Sequence, residues 1–363
     1  MTLAATRPIA HRDLEHGESQ AGQRAIMTAP APALVRVGVP LPGGRLVEIA
    51  RDANLPVLFS ANAFMRRTAN GEVSSVRLAD RAHFGGLNAA LDSAGFVAAV
   101  KYRGFPWSID HYLKLAQSYD WAWYATMDFC VEAEVAGDKT EVMFRLAETV
   151  RMFSELRNHA LDRGMAAPMP VLQGWTPAQY VWCANAYPLL EWPDMIGLGS
   201  MCRRHLHGDV GIFAVIDALD RILPPHVKFH LFGVKGKALE HLGQHPRVIS
   251  VDSMAWEAAA RRDHPTGRNM DLRGEYMLAW AEKNKAAAAG VQVGRTPSLL
   301  PVEPERVNPR IEHWLDLVTS NEITGPDAHW AALRNFDQLD DHPGGEDEDE
   351  DEREDEGCRM GMA

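Results

Sequence analysis

The run Arg247-Val248-Ile249-Ser250-Val251 is apolar and β-branched enough for a buried strand, and it stops at once on a carboxylate, Asp252. Other short apolar runs end in a comparable way. Asp92 lies in "GGLNAALDSAGF" (85–96), Asp128 in "WAWYATMDFC" (121–130) and Gln173 in "PMPVLQGW" (168–175). Gly197 and Gly199 punctuate "DMIGLGSM" (194–201), and Phe232 with Gly233 ends the apolar part of "VKFHLFGVKG" (227–236). Each has an ordinary structural role available. An Asp after a strand is a favoured helix N-cap, a Gln can satisfy loop backbone, and a Gly permits a tight turn. The functional reading rests on the coincidence of place: three acids and a Gln at the ends of different strands, with no evident His beside them.

Two carboxylates facing one substrate suit chemistry at an acetal-like carbon. One attacks as nucleophile; the other moves the proton for the departing and incoming groups. A nucleoside C1′ is such a carbon, with a base as its leaving group, and reaching it in a nucleic acid requires flipping the nucleotide from the stack. Phe96 and Phe232 can supply faces for a flat base, and Asp128 and Gln173 can supply edge contacts.

The elements that must position these residues follow from the same pattern. Together with "LPVLFSA" (55–61) and "RVISVDS" (247–253), the runs give seven candidate strands, and "ALVRVGVP" (33–40) is an eighth or a hairpin arm. Amphipathic helices lie between several of them. The clearest spans 140–164 with Gly164 as its stop; another spans 209–224, capped by Asp209 and ended by Pro224. Alternating strands and helices predict an α/β protein with a parallel sheet, a (β/α)8 TIM-like barrel whose active site sits at the C-terminal strand ends. An open doubly wound sheet is the competing architecture, but no G-x-G-x-x-G follows the first strand.

Composition sets the limits. The chain has 363 residues, 46% of them hydrophobic, and a formal net charge of −12. That charge is local: residues 336–356 hold 13 acids and one Arg, so the remainder is close to neutral. We expect a disordered N-terminal segment at 1–30, a barrel at 31–335 and an acidic disordered tail at 336–363. The tail reads either as a solubiliser or as a nucleic-acid mimic. No run of about 18 apolar residues suggests a membrane span, and the N-terminus lacks the apolar core of a signal peptide. Four scattered Cys form neither a disulfide framework nor paired zinc spacing, so a reducing, cytoplasmic location is the economical expectation. Arg66 and Arg67 in "FMRR" and Arg203 and Arg204 in "MCRR" follow strand ends, where they can hold nucleic-acid phosphates; Arg261, Arg262 and Arg268 are further candidates. Of Trp107, Trp175 and Trp256, at least two should be core.

The motifs, taken in order, resemble those of the tRNA-guanine transglycosylase superfamily. "LDSAGF" (91–96) resembles T-D-S-G-G-F/Y, "ATMDFC" (125–130) resembles M-x-F-D-E-C, and "VLQGW" (171–175) resembles I-V-Q-G-G. "IGLGSM" (196–201), "HLFGVKG" (230–236) and "SVDS" (250–253) resemble I-G-G-L, Y-L-M-G-V-G and M-F-D-C. The resemblance implies Asp252 as a nucleophile that holds the sugar covalently and Asp92 as general acid/base. It implies Asp128 and Gln173 on the purine edge beside the Gly197–Gly199 backbone, with Phe96 and Phe232 sandwiching the base.

The departures point to one branch. Members acting on tRNA carry a C-x-C-x-x-C…H zinc site after the nucleophile; after Asp252 the only Cys is Cys358, and Cys202, His205 and His207 lie elsewhere without four evident ligands. No RNA-binding domain is expected after the core. The chain is most similar to the deazapurine-in-DNA protein A family, which resembles the tRNA enzymes but exchanges guanine in DNA for a 7-deazaguanine such as preQ0 and is associated with bacterial modification systems and phages. The resemblance implies a pentosyltransferase acting on DNA, with a deazaguanine base as small substrate, no metal, no cofactor, and room for helper proteins of a modification system. Exchange on tRNA, an N-glycosidase and a non-catalytic nucleic-acid binder are the alternatives.

Overall fold

The computed structural model describes residues 31–68, 72–202, 204–264 and 269–290. The segments read as N-terminal segment and acidic tail, residues 291–335, Arg203 and Arg268 lie outside the described residues. In chain order the first elements are β1 (Leu34–Val39), α1 (Arg45–Asp52), β2 (Val57–Ser60), a hairpin of β3 (Met65–Arg67) and β4 (Val73–Val76), α2 (Arg81–Phe84) and β5 (Ala89–Asp92). Then come α3 (Gly95–Val97), α4 (Ile109–Gln117), α5 (Lys139–Asp162), β6 (Val171–Leu172), α6 (Pro177–Ala186), β7 (Met195–Leu198) and α7 (Ile212–Asp220). The last are β8 (Lys228–Leu231), α8 (Leu239–Leu242), β9 (Val248–Ser253), α9 (Ala255–Asp263) and α10 (Met270–Gly290).

Seven strands form one curled parallel sheet in the order β5-β2-β1-β9-β8-β7-β6, with β3 and β4 apart as an antiparallel pair. The 33–40 run is therefore a full sheet member. The predicted strand at 121–130 is not: it makes two isolated parallel bridges, Leu91 to Tyr124 and Ala125 to Met169. Its backbone reaches β5 through Ala122 N–H to Ala89 O and Ala125 N–H to Leu91 O, and the other side through Met169 N–H to Tyr124 O and Thr126 N–H to Met169 O. The reason pairing goes no further is local. The next backbone groups facing this segment, the Val171 N–H and C=O, both bond the Tyr187 hydroxyl instead, at 3.2 and 2.6 Å.

Two apolar cores lie where helices cover the sheet. One packs Val37, Val57, Phe59 and Leu91 against α1, α4 and α10 residues such as Leu46, Leu113 and Met277. The other packs Leu172, Ile196, Phe229 and Val251 against Leu146, Tyr180 and Ile216 of α5, α6 and α7. Trp107 and Trp256 are both buried, and the Trp256 indole donates to Gly38 O at 3.0 Å. The α5 helix starts where Asp138 accepts from Thr140 and Glu141 N–H, and its chain exits through Gly164 at φ 69°. The 209–224 helix is shorter than expected. Gly208 (φ 88°) turns the chain, Gly211 N–H bonds Gly208 O, and the helix starts after Gly211 without an Asp209 cap.

Candidate active site

Strand period two decides what faces the inside of the curl. On β8, Phe229 and Leu231 point to the helix side, so His230 and then Phe232 point inward. On β9, Ser250 and Asp252 do the same, and on β1, between Val35 and Val37, so does Arg36. Asp252 sits in register with Arg36 on one side, while Ser250 pairs with His230 on the other.

None of the three acids caps a following helix. Asp252 accepts from Gly233 N–H at 3.1 Å, across from its own strand. Asp92 Oδ2 accepts from Ala94 N–H at 3.0 Å, where Ala94 holds φ 68° to turn the chain into α3. Asp128 is buried and accepts from Ser93 Oγ at 2.8 Å and from the Gln173 amide. Gln173 is itself buried, and its Oε1 accepts from Ser200 Oγ at 2.6 Å. Both ends of the Gln173 amide are thus engaged inside the protein, and the side chain fixes the direction of the Asp128 carboxylate.

The glycines earmarked for this site make room for side chains. A Cβ on Gly199 would lie 2.0 Å from Gln173 Nε2, and one on Gly197 would lie 2.6 Å from Phe232 Cε2. Gly95 is equally constrained: its Cβ would meet Asp128 O at 2.3 Å. Phe232 stands half-buried, edge-on to the His230 ring at 4.5 Å and to Trp123 at 6.0 Å. Phe96 is half-buried on α3, four residues beyond Asp92.

The electrostatics separate the carboxyls. Burial pushes the Asp92 carboxyl well above the usual carboxylate range, and the nearby charges of Asp128 and Asp252 push it further. Burial also raises Asp128, opposed by its hydrogen bonds from Ser93 and Gln173. Asp92 is therefore the group set to hold a proton, the condition for a general acid near neutral pH. Burial lowers the Arg36 guanidinium to about 10, against the pull of Asp252, which leaves it charged at neutral pH.

His230 is the residue that the sequence reading missed. It is fully buried, its Nδ1 is 2.7 Å from Ser250 Oγ, and its Nε2 is 3.3 Å from Asp252 Oδ1 without the alignment of a hydrogen bond. The Trp123 ring packs on it at 4.7 Å and the Arg36 guanidinium lies 5.5 Å from the same indole.

The basic candidates divide. Arg66 is exposed on β3, and Arg67 stacks at 4.0 Å on Tyr102 and donates to Asn62 Oδ1 at 3.2 Å. Arg204 is corrected: it is buried, and its guanidinium donates to the carbonyls of Ser200, Gly174, Trp175 and Val210 at 2.6–3.1 Å while lying over the Trp175 ring. It clamps loops and is not exposed to a phosphate. Arg261 bonds Glu257 at 2.8 Å. A cleft of about 440 Å³ opens between the start of α4 and α5; Met127 and Phe129 line it on either side of Asp128, but none of the three acids does.

Fold and site together define an α/β protein with a carboxylate centre at the C-terminal ends of parallel strands. Residues 52–293 match the family model of deoxypurine in DNA protein A (DpdA), and the chain belongs to that family. It is a family of DNA modification with a deazapurine, acting on DNA through a transglycosylase-like enzyme. No curated protein matches the chain. Among the described residues, no helix is long and apolar enough to cross a membrane.

Proposed function

We propose that this protein exchanges guanine in DNA for a 7-deazaguanine base such as preQ0, through a covalent bond between Asp252 and C1′ of the deoxyribose. The observation that carries the reading is that Asp92 and Asp252 stand at the C-terminal ends of two strands of one parallel sheet, in a member of a DNA-modifying family. The flipped deoxyguanosine enters the mouth with its base between Phe96 and Phe232 and its edge toward Asp128. An Asp252 carboxylate oxygen attacks C1′, the C1′–N bond breaks, and the Asp92 proton goes to the departing base. The incoming deazaguanine then gives up its ring N–H proton to Asp92 as its nitrogen attacks C1′ and the Asp252 ester bond breaks. The proton inventory returns to its starting point, and two displacements retain the configuration at C1′. The bridges through Tyr124 and Ala125 favour reading the sheet as a (β/α)8 barrel whose eighth strand is reduced to its shortest form, bringing Asp128 to the same mouth as Asp252.

The test is incubation with single-stranded DNA, double-stranded DNA and unmodified tRNA, each with and without preQ0, followed by digestion and mass spectrometry of nucleosides. A deazapurine deoxynucleoside that disappears with Asp252→Ala supports the proposal. A modified ribonucleoside moves the activity to tRNA, loss of base without insertion makes the protein an N-glycosidase, and binding with no product makes it a binder.

A further inference from the structure

We propose that His230, held as its Nε2–H tautomer by Ser250, is a positioning residue for Asp252, and that Arg36 on the opposite strand completes a polar floor under this carboxylate; this rests on the reading of Asp252 as the nucleophile. The juxtaposition is built by the strand order β1-β9-β8. Asp252 stands on the middle strand, Arg36 opposite it on β1, and His230 on β8 reaches it from below. His230 Nδ1 lies 2.7 Å from Ser250 Oγ. If Nδ1 carried the proton, a bare Nε2 lone pair would face Asp252 Oδ1 at 3.3 Å, two acceptors in a buried space. With Ser250 donating to Nδ1, the proton is on Nε2 and the contact becomes donor toward acceptor. Burial lowers the imidazole below its ordinary value, which keeps the ring neutral.

Nε2 has no hydrogen-bond partner in this arrangement, although its atom is buried. A small rotation of the Asp252 carboxyl brings its Oδ1 onto the N–H line. Gly233 N–H and His230 then both engage Oδ1, which leaves Oδ2 as the oxygen free to attack. Arg36 carries three hydrogen bonds to Val57 O, Asn88 O and Asn88 Oδ1, so it is fixed in place as a charge and does not have to move during turnover. When the ester breaks and the carboxylate charge returns, the N–H is already beside it and the guanidinium charge is already in place on the neighbouring strand.

Two measurements test this on the full chain. In 15N-histidine NMR near neutral pH, with the His230 signals assigned by their loss in His230→Gln, the expected pattern is a protonated Nε2 and an acceptor Nδ1. A protonated Nδ1 overturns the proposal whatever the enzyme activity proves to be. In single-turnover exchange on a DNA oligonucleotide with preQ0, His230→Leu should lose about a hundredfold in the rate of the chemical step with little change in KM. His230→Gln, which carries an amide N–H near the Nε2 position, should recover most of that loss. Ser250→Ala, a smaller change for the fold, should release the tautomer and lower the rate about tenfold. Equal rates for wild type, Leu and Ala variants overturn the positioning role, whereas a wild type that inserts no base into DNA overturns the exchange reading and leaves the tautomer to be decided by NMR.

Discussion

Arg36 and Asp252 face each other in register on adjacent parallel strands, β1 and β9, both on the inner side of the sheet. Arg36 is 4% exposed, and its Nη1 is within 3.3 Å of Val57 O, Asn88 O and Asn88 Oδ1. A buried cation so placed offsets the negative charge of Asp252 and donates to two backbone carbonyls and one side-chain amide. Arg36→Met should therefore destabilise the fold by roughly 1–3 kcal/mol, because it removes three charged hydrogen bonds and the cation in register with Asp252. Replacing Asp252 by Asn in the same chain should recover part of that loss. Additive effects in the denaturant double-mutant cycle would show that the two residues do not couple.

Asp92 gives a pH dependence whose sign can be worked out. Its folded pKa is raised by burial and by the charges of Asp128 and Asp252, so the folded state holds its proton more tightly than the unfolded chain does. The corresponding stability is fully present below the ordinary carboxylate pKa and is lost as pH rises through the raised one. Wild type should lose stability relative to Asp92→Asn over that window, and exchange should fall on the same alkaline limb as the acid form disappears. Denaturant melts of both proteins between about pH 4 and pH 9 measure the difference. A difference that is flat in pH would mean that Asp92 is not the protonated partner.

Strand ends were legible because the signal is local: a β-branched run followed by a polar residue needs no knowledge of the tertiary structure. That reasoning placed Asp92 at the end of β5, Gln173 just after β6 and Asp252 one residue before the end of β9. The strand at 121–130 was over-read, since its apolar composition says nothing about the partner, and the Tyr187 hydroxyl occupies the partner's next backbone donor and acceptor at Val171. His230 was missed because it sits in the middle of "KFHL" rather than at its end. The signal that finds it is alternation. Phe232 was assigned inward, His230 is two residues before it, and Ser250 and Arg36 interrupt their own apolar strands with the same phase. Arg204 was misplaced for the opposite reason: an Arg after a strand end looks solvated until the loop carbonyls around it are known.

Gly199 offers a test of the Gln173 geometry that leaves every hydrogen-bonding side chain in place. A Cβ there would stand 2.0 Å from Gln173 Nε2, so Gly199→Ala must drive the amide off its position between Asp128 and Ser200. The expected cost is about 1–3 kcal/mol of stability from overpacking, together with a raised KM for the base as Asp128 loses its orientation. Unchanged KM, measured with the incoming base as the varied substrate, would show that Gln173 and Asp128 do not read the base edge.

The basic residues make opposite predictions according to where the structure places them. Arg204 is buried among loop carbonyls, so Arg204→Ala should destabilise by about 2–4 kcal/mol, the range for leaving several buried acceptors unpaired. It should leave the salt dependence of DNA binding unchanged in the folded protein. Arg66 is exposed on β3, which follows the C-terminal end of β2, so Arg66→Ala should do the reverse. Stability should stay within about 0.5 kcal/mol of wild type, while the slope of log affinity against log salt falls by about one phosphate contact. Titrating both variants onto one labelled DNA at several salt concentrations separates the roles. A reduced slope for Arg204→Ala with an intact fold would return that residue to the DNA surface, and an unchanged slope for Arg66→Ala would remove the β3–β4 hairpin from it.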